Sequence, residues 1–121
     1  MCRFVFRAAL VLLGAAAGCG SDGGEVEEPA VRGRQVYLEN GCNVCHGNEG
    51  HGDGPVARNL SPKPRNFADR AAYKRGPGLA EIEETISNGL SIGQGVMPAF
   101  TNIDPEDRRN LALYIQSLQS P

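Results

Sequence analysis

Cys42-Asn43-Val44-Cys45-His46 is the stretch on which every other reading of this chain depends. Two thiols separated by two residues, with an imidazole directly after the second, form the pattern of a covalent haem attachment site. The chemistry accounts for the spacing. Each thiol can add across one vinyl group of a haem to give a thioether. Two intervening residues in a helical turn set the sulfurs about one haem edge apart, and His46 then projects toward the ring as the proximal iron ligand.

Other uses of a Cys-x-x-Cys pair fit less well. A dithiol redox motif prefers a βαβ context, and no alternation of strand and helix patterns is visible. A zinc site needs two further ligands, and the only other histidine is His51. A plain disulfide between Cys42 and Cys45, with a chance histidine beside it, is the remaining alternative.

The 121-residue chain has room for one domain. Residues 1–18 are expected to be a signal peptide: Arg3 and Arg7 form a positive start, and Ala8 to Ala17 is apolar and small. That run falls short of the roughly 20 apolar residues of a membrane span. Ala16-Ala17-Gly18-Cys19 resembles a bacterial lipobox, in which the cysteine is lipidated and becomes the new N-terminus. Alanine stands at position 16 where leucine is usual, which keeps ordinary signal-peptidase cleavage as the alternative. Lipidation would also explain Cys19, otherwise a lone thiol in an oxidising compartment. Residues 19–29 then read as a lipidated, flexible acidic tether and residues 30–121 as the folded domain. The location implied is the periplasmic face of a bacterial membrane, with a soluble periplasmic protein as the alternative.

After loss of the leader, the folded part carries 10 basic and 10 acidic residues. A near-neutral balance with no basic stripe argues against nucleic acid as a partner. Gly20 to Pro29 is Gly-, Asp- and Glu-rich with one apolar residue, Val26, and so reads as a solvated linker.

Spacing predicts three longer helices. Val31 to Asn40 places Gly33, Val36 and Tyr37 on one face. Leu79 to Asn88 carries a Leu79, Ile82, Ile86 stripe with early glutamates and a stop at Gly89. Asp104-Pro105-Glu106-Asp107 starts the last helix, whose Leu111, Tyr114, Ile115 and Leu118 share a face. Between them, Gly47 to Gly54 is loop, expected to bend around a haem edge; Pro62 and Pro64 exclude helix; Asp69 to Lys74 is a short helical turn; Ser91 to Gly95 is a flexible approach to Met97. Gly33 costs about 1 kcal/mol against alanine in a helix, which reads either as tolerance in a weak helix or as a second helix crossing there closely.

Met97 is the one methionine left once the leader is removed. It stands before Pro98 in a loop, a poor place for core filler. With a haem motif upstream it reads as the distal iron ligand, a soft thioether that raises the potential. His51, in the glycine loop, is the alternative second ligand. Phe67 would cover the haem, and Lys63 and Arg65 would reach a propionate or simply be exposed. With His46 and Met97 in both axial positions, no open site remains for substrate. The reading is therefore an electron carrier with one covalent haem c, rather than an enzyme. About 90 residues, poor in aromatics, make a marginal core, so the haem is expected to supply much of the buried surface.

From Val31 to Leu118 the chain resembles the bacterial single-haem class I cytochromes c. The likeness rests on Gly33 and Tyr37 in a first helix, the Cys42–His46 motif, Gly52-Asp53-Gly54-Pro55, Met97-Pro98, and Tyr114 in a last helix. The resemblance implies an all-α cytochrome c fold: about four short helices and long loops around one haem, with the first and last helices crossing and Tyr37 near Tyr114. It also implies that a proline carbonyl accepts from the proximal histidine. Pro55 is the candidate, with Pro62 and Pro64 competing. The implied partners are a redox donor and acceptor of unspecified identity, reached by a protein held to the membrane through its lipid. Oligomeric state, and the choice between lone carrier and subunit of a larger complex, stay open. Two other functions stand beside this one. One is a haem-based sensor or peroxidase-like protein in which Met97 dissociates. The other is a lipoprotein without haem, closed by a Cys42–Cys45 disulfide.

Overall fold

A computed structural model describes residues 27–121. The expected signal peptide, Cys19 and the expected tether up to residue 26 lie outside the described residues. Among the described residues no helix is long and apolar enough to cross a membrane.

The first helix, α1 (Pro29–Glu39), begins two residues before Val31, because Pro29 supplies a preset φ at a position whose N–H would be unpaired anyway. The Glu28 carbonyl receives the amides of Val31 and Arg32. Gly33, Val36 and Tyr37 form the buried face. Asn40 closes the helix, its side-chain amide donating to the Val36 carbonyl at 2.8 Å, and Gly41 turns the chain at φ +69°.

The motif itself forms α2 (Cys42–His46). Two 3-10 turns follow, Ala57–Asn59 and Arg70–Ala72. The span of α3 (Leu79–Asn88) matches the spacing, with Ile82 and Ile86 buried. In α4 (Pro105–Ser117) the Asp104 carboxylate accepts from the amides of Glu106 and Asp107, each at 3.0 Å.

Helix α4 is the organising element, since both α1 and α3 pack on it. Gly33 sits against the α4 backbone, so close that a methyl group there would overlap the Asn110 carbonyl. Across the crossing the rings of Tyr37 and Tyr114 meet edge to face at 5.4 Å. Arg32 spans it as well, with Nε and Nη2 donating to the two carboxylate oxygens of Asp107 at 2.8 and 2.6 Å. Tyr37, Leu111 and Val36 are the largest fully buried side chains and lie at this crossing and under it.

One element differs from expectation. The approach to Met97 is an antiparallel hairpin, β1 (Leu90–Ile92) paired with β2 (Gly95–Met97), in which Leu90 faces Met97. A two-residue turn, Gly93-Gln94, joins the strands, with Gly93 at φ +59°.

Candidate functional site

A cavity of about 500 Å³ opens between α2 and the β-hairpin. Its lining includes Cys42, Cys45 and His46 from α2 together with Met97 and Pro98. Both thiols are free and half-buried. Burial in this apolar space pushes the Cys42 thiol up to about 11, partly offset by a backbone hydrogen bond.

His46 is held from behind. Its Nδ1 lies 3.2 Å from the carbonyl oxygen of Arg65. A carbonyl can only accept, so Nδ1 carries the proton and Nε2 keeps its lone pair for a metal. Burial lowers the pKa of this imidazole, a shift opposed by the Arg65 bond. The Phe67 ring stacks on the imidazole at 4.5 Å and 22°.

Two expectations are corrected here. The acceptor is the Arg65 carbonyl and not that of Pro55, Pro62 or Pro64, because the irregular segment after Pro62 brings the Arg65 backbone to the imidazole. Pro55 is exposed and stands outside the cavity wall, whereas Phe67 is part of it. The glycine loop also has a different task from bending around a haem edge. Gly52, Gly54 and Val56 donate their amides to the carbonyls of His46, Cys45 and Val44 at 2.8, 3.1 and 3.3 Å. The loop thereby pairs the last carbonyls of α2, which a five-residue helix leaves open. Glycine is required at position 54, where a Cβ would overlap the Val44 carbonyl. His51 in the same loop is exposed and lies outside the cavity wall.

The buried Tyr37 hydroxyl donates to the Gly47 carbonyl at 2.6 Å, tying α1 to the residue after His46. Burial raises the pKa of this phenol above its ordinary value. Neither this clamp nor the Arg65 carbonyl has a signal in the sequence, since each depends on a backbone oxygen. The hairpin did have one: two short apolar runs separated by Gly93-Gln94.

The lining fits a haem. It offers two thiols one helical turn apart, an imidazole nitrogen and a thioether sulfur, in a largely apolar space of the size that encloses cofactors. Lys63 and Arg65 are its only charged lining residues. Zinc fits poorly, because among the described residues no group of three His, Cys, Asp or Glu converges. Six lining residues are also exposed and form the mouth: Val44, Leu60, Pro62, Lys63, Val96 and Pro98.

The family model for cytochrome c matches residues 30–119. The chain belongs to the cytochrome c family. It is a class I c-type cytochrome, and with that comes a covalently bound haem c, for which Cys42 and Cys45 stand at the expected positions of the motif. The four helices with little strand are those of the cytochrome c fold. A cytochrome c oxidase subunit 2 from Alkalihalophilus pseudofirmus is 37% identical over 103 residues, which is 78% of this chain and 28% of that protein. A solved structure of a reducing HAO-like protein complex from Kuenenia stuttgartiensis contains a chain 32% identical, with a TM-score of 0.58. That match covers 73% of this cytochrome and 41% of the other chain. The cytochrome thus spans less than half the length of either relative.

Proposed function

We propose that this cytochrome is a single-electron carrier whose haem iron is held by His46 and Met97. The observation that supports the reading best is that both thiols, His46 and Met97 line one cavity. When bound, the haem supplies a one-electron couple at its iron. The protein's residues do the rest. Arg65 fixes the tautomer and orientation of His46 and raises its basicity as a ligand. Phe67 blocks ring rotation by stacking on it. Met97 adds a soft donor that favours the reduced state. Ile86, Leu111 and Ile115 line the interior wall and exclude water.

The apolar mouth is the route by which charge would leave, and redox proteins would dock against it. The two relatives are an oxidase subunit and a member of a multi-chain complex, which favours redox partners of that general kind. Whether as a free carrier or as a subunit, the cytochrome would work at the periplasmic face of a bacterial membrane, held there by a lipid on Cys19 after removal of residues 1–18.

Mass spectrometry of the exported protein tests the covalent part: the 42–46 peptide should carry the mass of one haem and the N-terminal peptide a diacylglycerol on Cys19. Oxidised-state absorption tests the axial part. Low-spin spectra with the weak far-red band of sulfur-ligated ferric haem are expected, and a high-spin spectrum would overturn the Met97 assignment. A second reading, in which Met97 leaves the iron to admit a small ligand, draws on one observation. Val96, next to Met97, is 71% exposed, so the hairpin is less embedded than the His46 side.

A further inference from the structure

We infer that Arg75 is a positioning residue for Met97, acting through the Gly89 carbonyl. The inference rests on the reading of Met97 as the distal ligand. Arg75 belongs to the loop before α3, and its guanidinium crosses to the far end of that helix. Nη1 donates to the Gly89 carbonyl at 2.8 Å and approaches Thr85 Oγ1 at 3.3 Å. Nε lies 3.5 Å from Glu84 Oε1. Helix α3 has no basic residue in its own last turn, so Arg75 supplies from outside the cation that the C-terminal carbonyls favour.

Gly89 is where this becomes relevant to Met97. It leaves α3 at φ +70° and leads directly into Leu90, whose partner in the hairpin is Met97. It also touches the ligand segment itself. A Cβ on Gly89 would lie 2.6 Å from the Met97 carbonyl oxygen and 2.9 Å from the Ala99 nitrogen. The orientation of the Gly89 peptide therefore sets where the Met97 strand can run. Among the described residues, the Arg75 bond is the only side-chain hydrogen bond received or donated anywhere in residues 89–100. The other ties are backbone: the Gly89 amide to the Thr85 carbonyl at 2.9 Å, the hairpin pairing, and the Phe100 amide to the Ile86 carbonyl at 2.9 Å. Arg75 also lines a small side chamber of about 60 Å³ that Met97 and His46 share. The charge-assisted bond keeps the hairpin in the one arrangement that presents the sulfur to the cavity. Without it the strand can withdraw and leave the iron to competing ligands.

The test uses the haem-loaded protein and imidazole as a competing ligand for ferric iron. Arg75→Met keeps the stem and removes the donor. It should bind imidazole about tenfold more tightly than the parent, the effect of losing one charge-assisted hydrogen bond, and weaken the far-red band. Arg75→Lys, which retains a donor, should restore most of both. Glu84→Gln removes only the exposed ion pair and should change neither. Unchanged imidazole affinity in Arg75→Met, even with a lower melting temperature, overturns the inference, as does an equal effect from Glu84→Gln. Where Arg75→Met fails to take up haem, Arg75→Leu, which also lacks a donor, reads the same quantities. Met97→Ala separates the two layers. A parent-like band and affinity in that variant sink the ligand assignment itself, whereas a large change there beside none in Arg75→Met sinks only the role of Arg75.

Discussion

The His46 wall and the Met97 wall of the cavity are held by different kinds of contact. On the His46 side three successive carbonyls of α2 receive amides from the next ten residues of chain, and Tyr37 closes on Gly47. On the Met97 side a two-stranded hairpin with an exposed Val96 is tied down by Arg75, by the Phe100 amide, and by contact of Gly95 with Pro62. The first wall combines a local backbone network with the Arg65 carbonyl, which comes from 19 residues along the chain. The second is assembled from segments distant in sequence, each contributing one tie. Stability is not uniform across a protein, and elements with few ties open first. Under the proposed ligation by His46 and Met97, the comparison makes the imidazole the permanent ligand and the thioether the one that would yield.

The largest expected effect removes what both walls enclose. A Cys42→Ala, Cys45→Ala double variant should lack covalent haem by mass spectrometry and lose much of its helical circular dichroism, because so small a core is marginal without the macrocycle. Native helicity in that variant would mean that the walls stand alone and that their contrast is not set by the cofactor.

Next comes a matched pair of glycines. Gly54→Ala puts a methyl group into the Val44 carbonyl and should cost about 3 kcal/mol in chemical denaturation. Gly93→Ala, in the hairpin turn, meets nothing within 4 Å and bears only the penalty of its φ of +59°, about 1 kcal/mol. A reversed order would break the comparison. Tyr37→Phe should follow. It removes the shorter of two hydrogen bonds to the Gly47 carbonyl, leaving that of the Gly50 amide at 3.3 Å, for a loss of roughly 1 kcal/mol in thermal unfolding. It should leave imidazole competition at the Met97 side unchanged.

The smallest effect lies away from both walls. Arg32 holds the Asp107 carboxyl below the usual carboxylate range through its hydrogen bonds, with desolvation in opposition. A carboxyl depressed in the folded state contributes stability that is fully present above about pH 3.9 and lost as pH falls below it toward the folded value. Asp107→Asn should therefore remove a small part of the acid dependence seen in pH titrations of unfolding. The pair is partly solvated, and salt should shrink the difference. An effect on the haem spectrum would show that the α1–α4 crossing feeds into the cavity.

Much of the fold was legible because it is encoded locally. The Ile82 and Ile86 stripe, the Asp104-Pro105 start and the stop at Gly89 each act within one or two helical turns, and the helices fall where these signals stand. Gly33 was legible for a related reason: a glycine tolerated inside a helix needs a close neighbour, and α4 is that neighbour. The hairpin was missed because three-residue strands carry too little alternation to outweigh a glycine-rich reading. Pro55 was preferred over the true position because an acceptor carbonyl has no residue signature. Any residue can present one, and only the path of the chain decides which does.

By itself the sequence determined the chemistry: two thiols and an imidazole at fixed spacing, one thioether far downstream, and enough apolar periodicity for three longer helices. These are properties of side chains and of short-range spacing, and they survive without knowledge of the fold. The tertiary structure alone decided which backbone oxygen steadies His46, that the glycine loop pairs the carbonyls of α2, and that Arg75 reaches the Gly89 carbonyl ahead of the hairpin that carries Met97. Each of those joins an atom every residue possesses to a group many positions away, and such pairings exist only once the chain has packed.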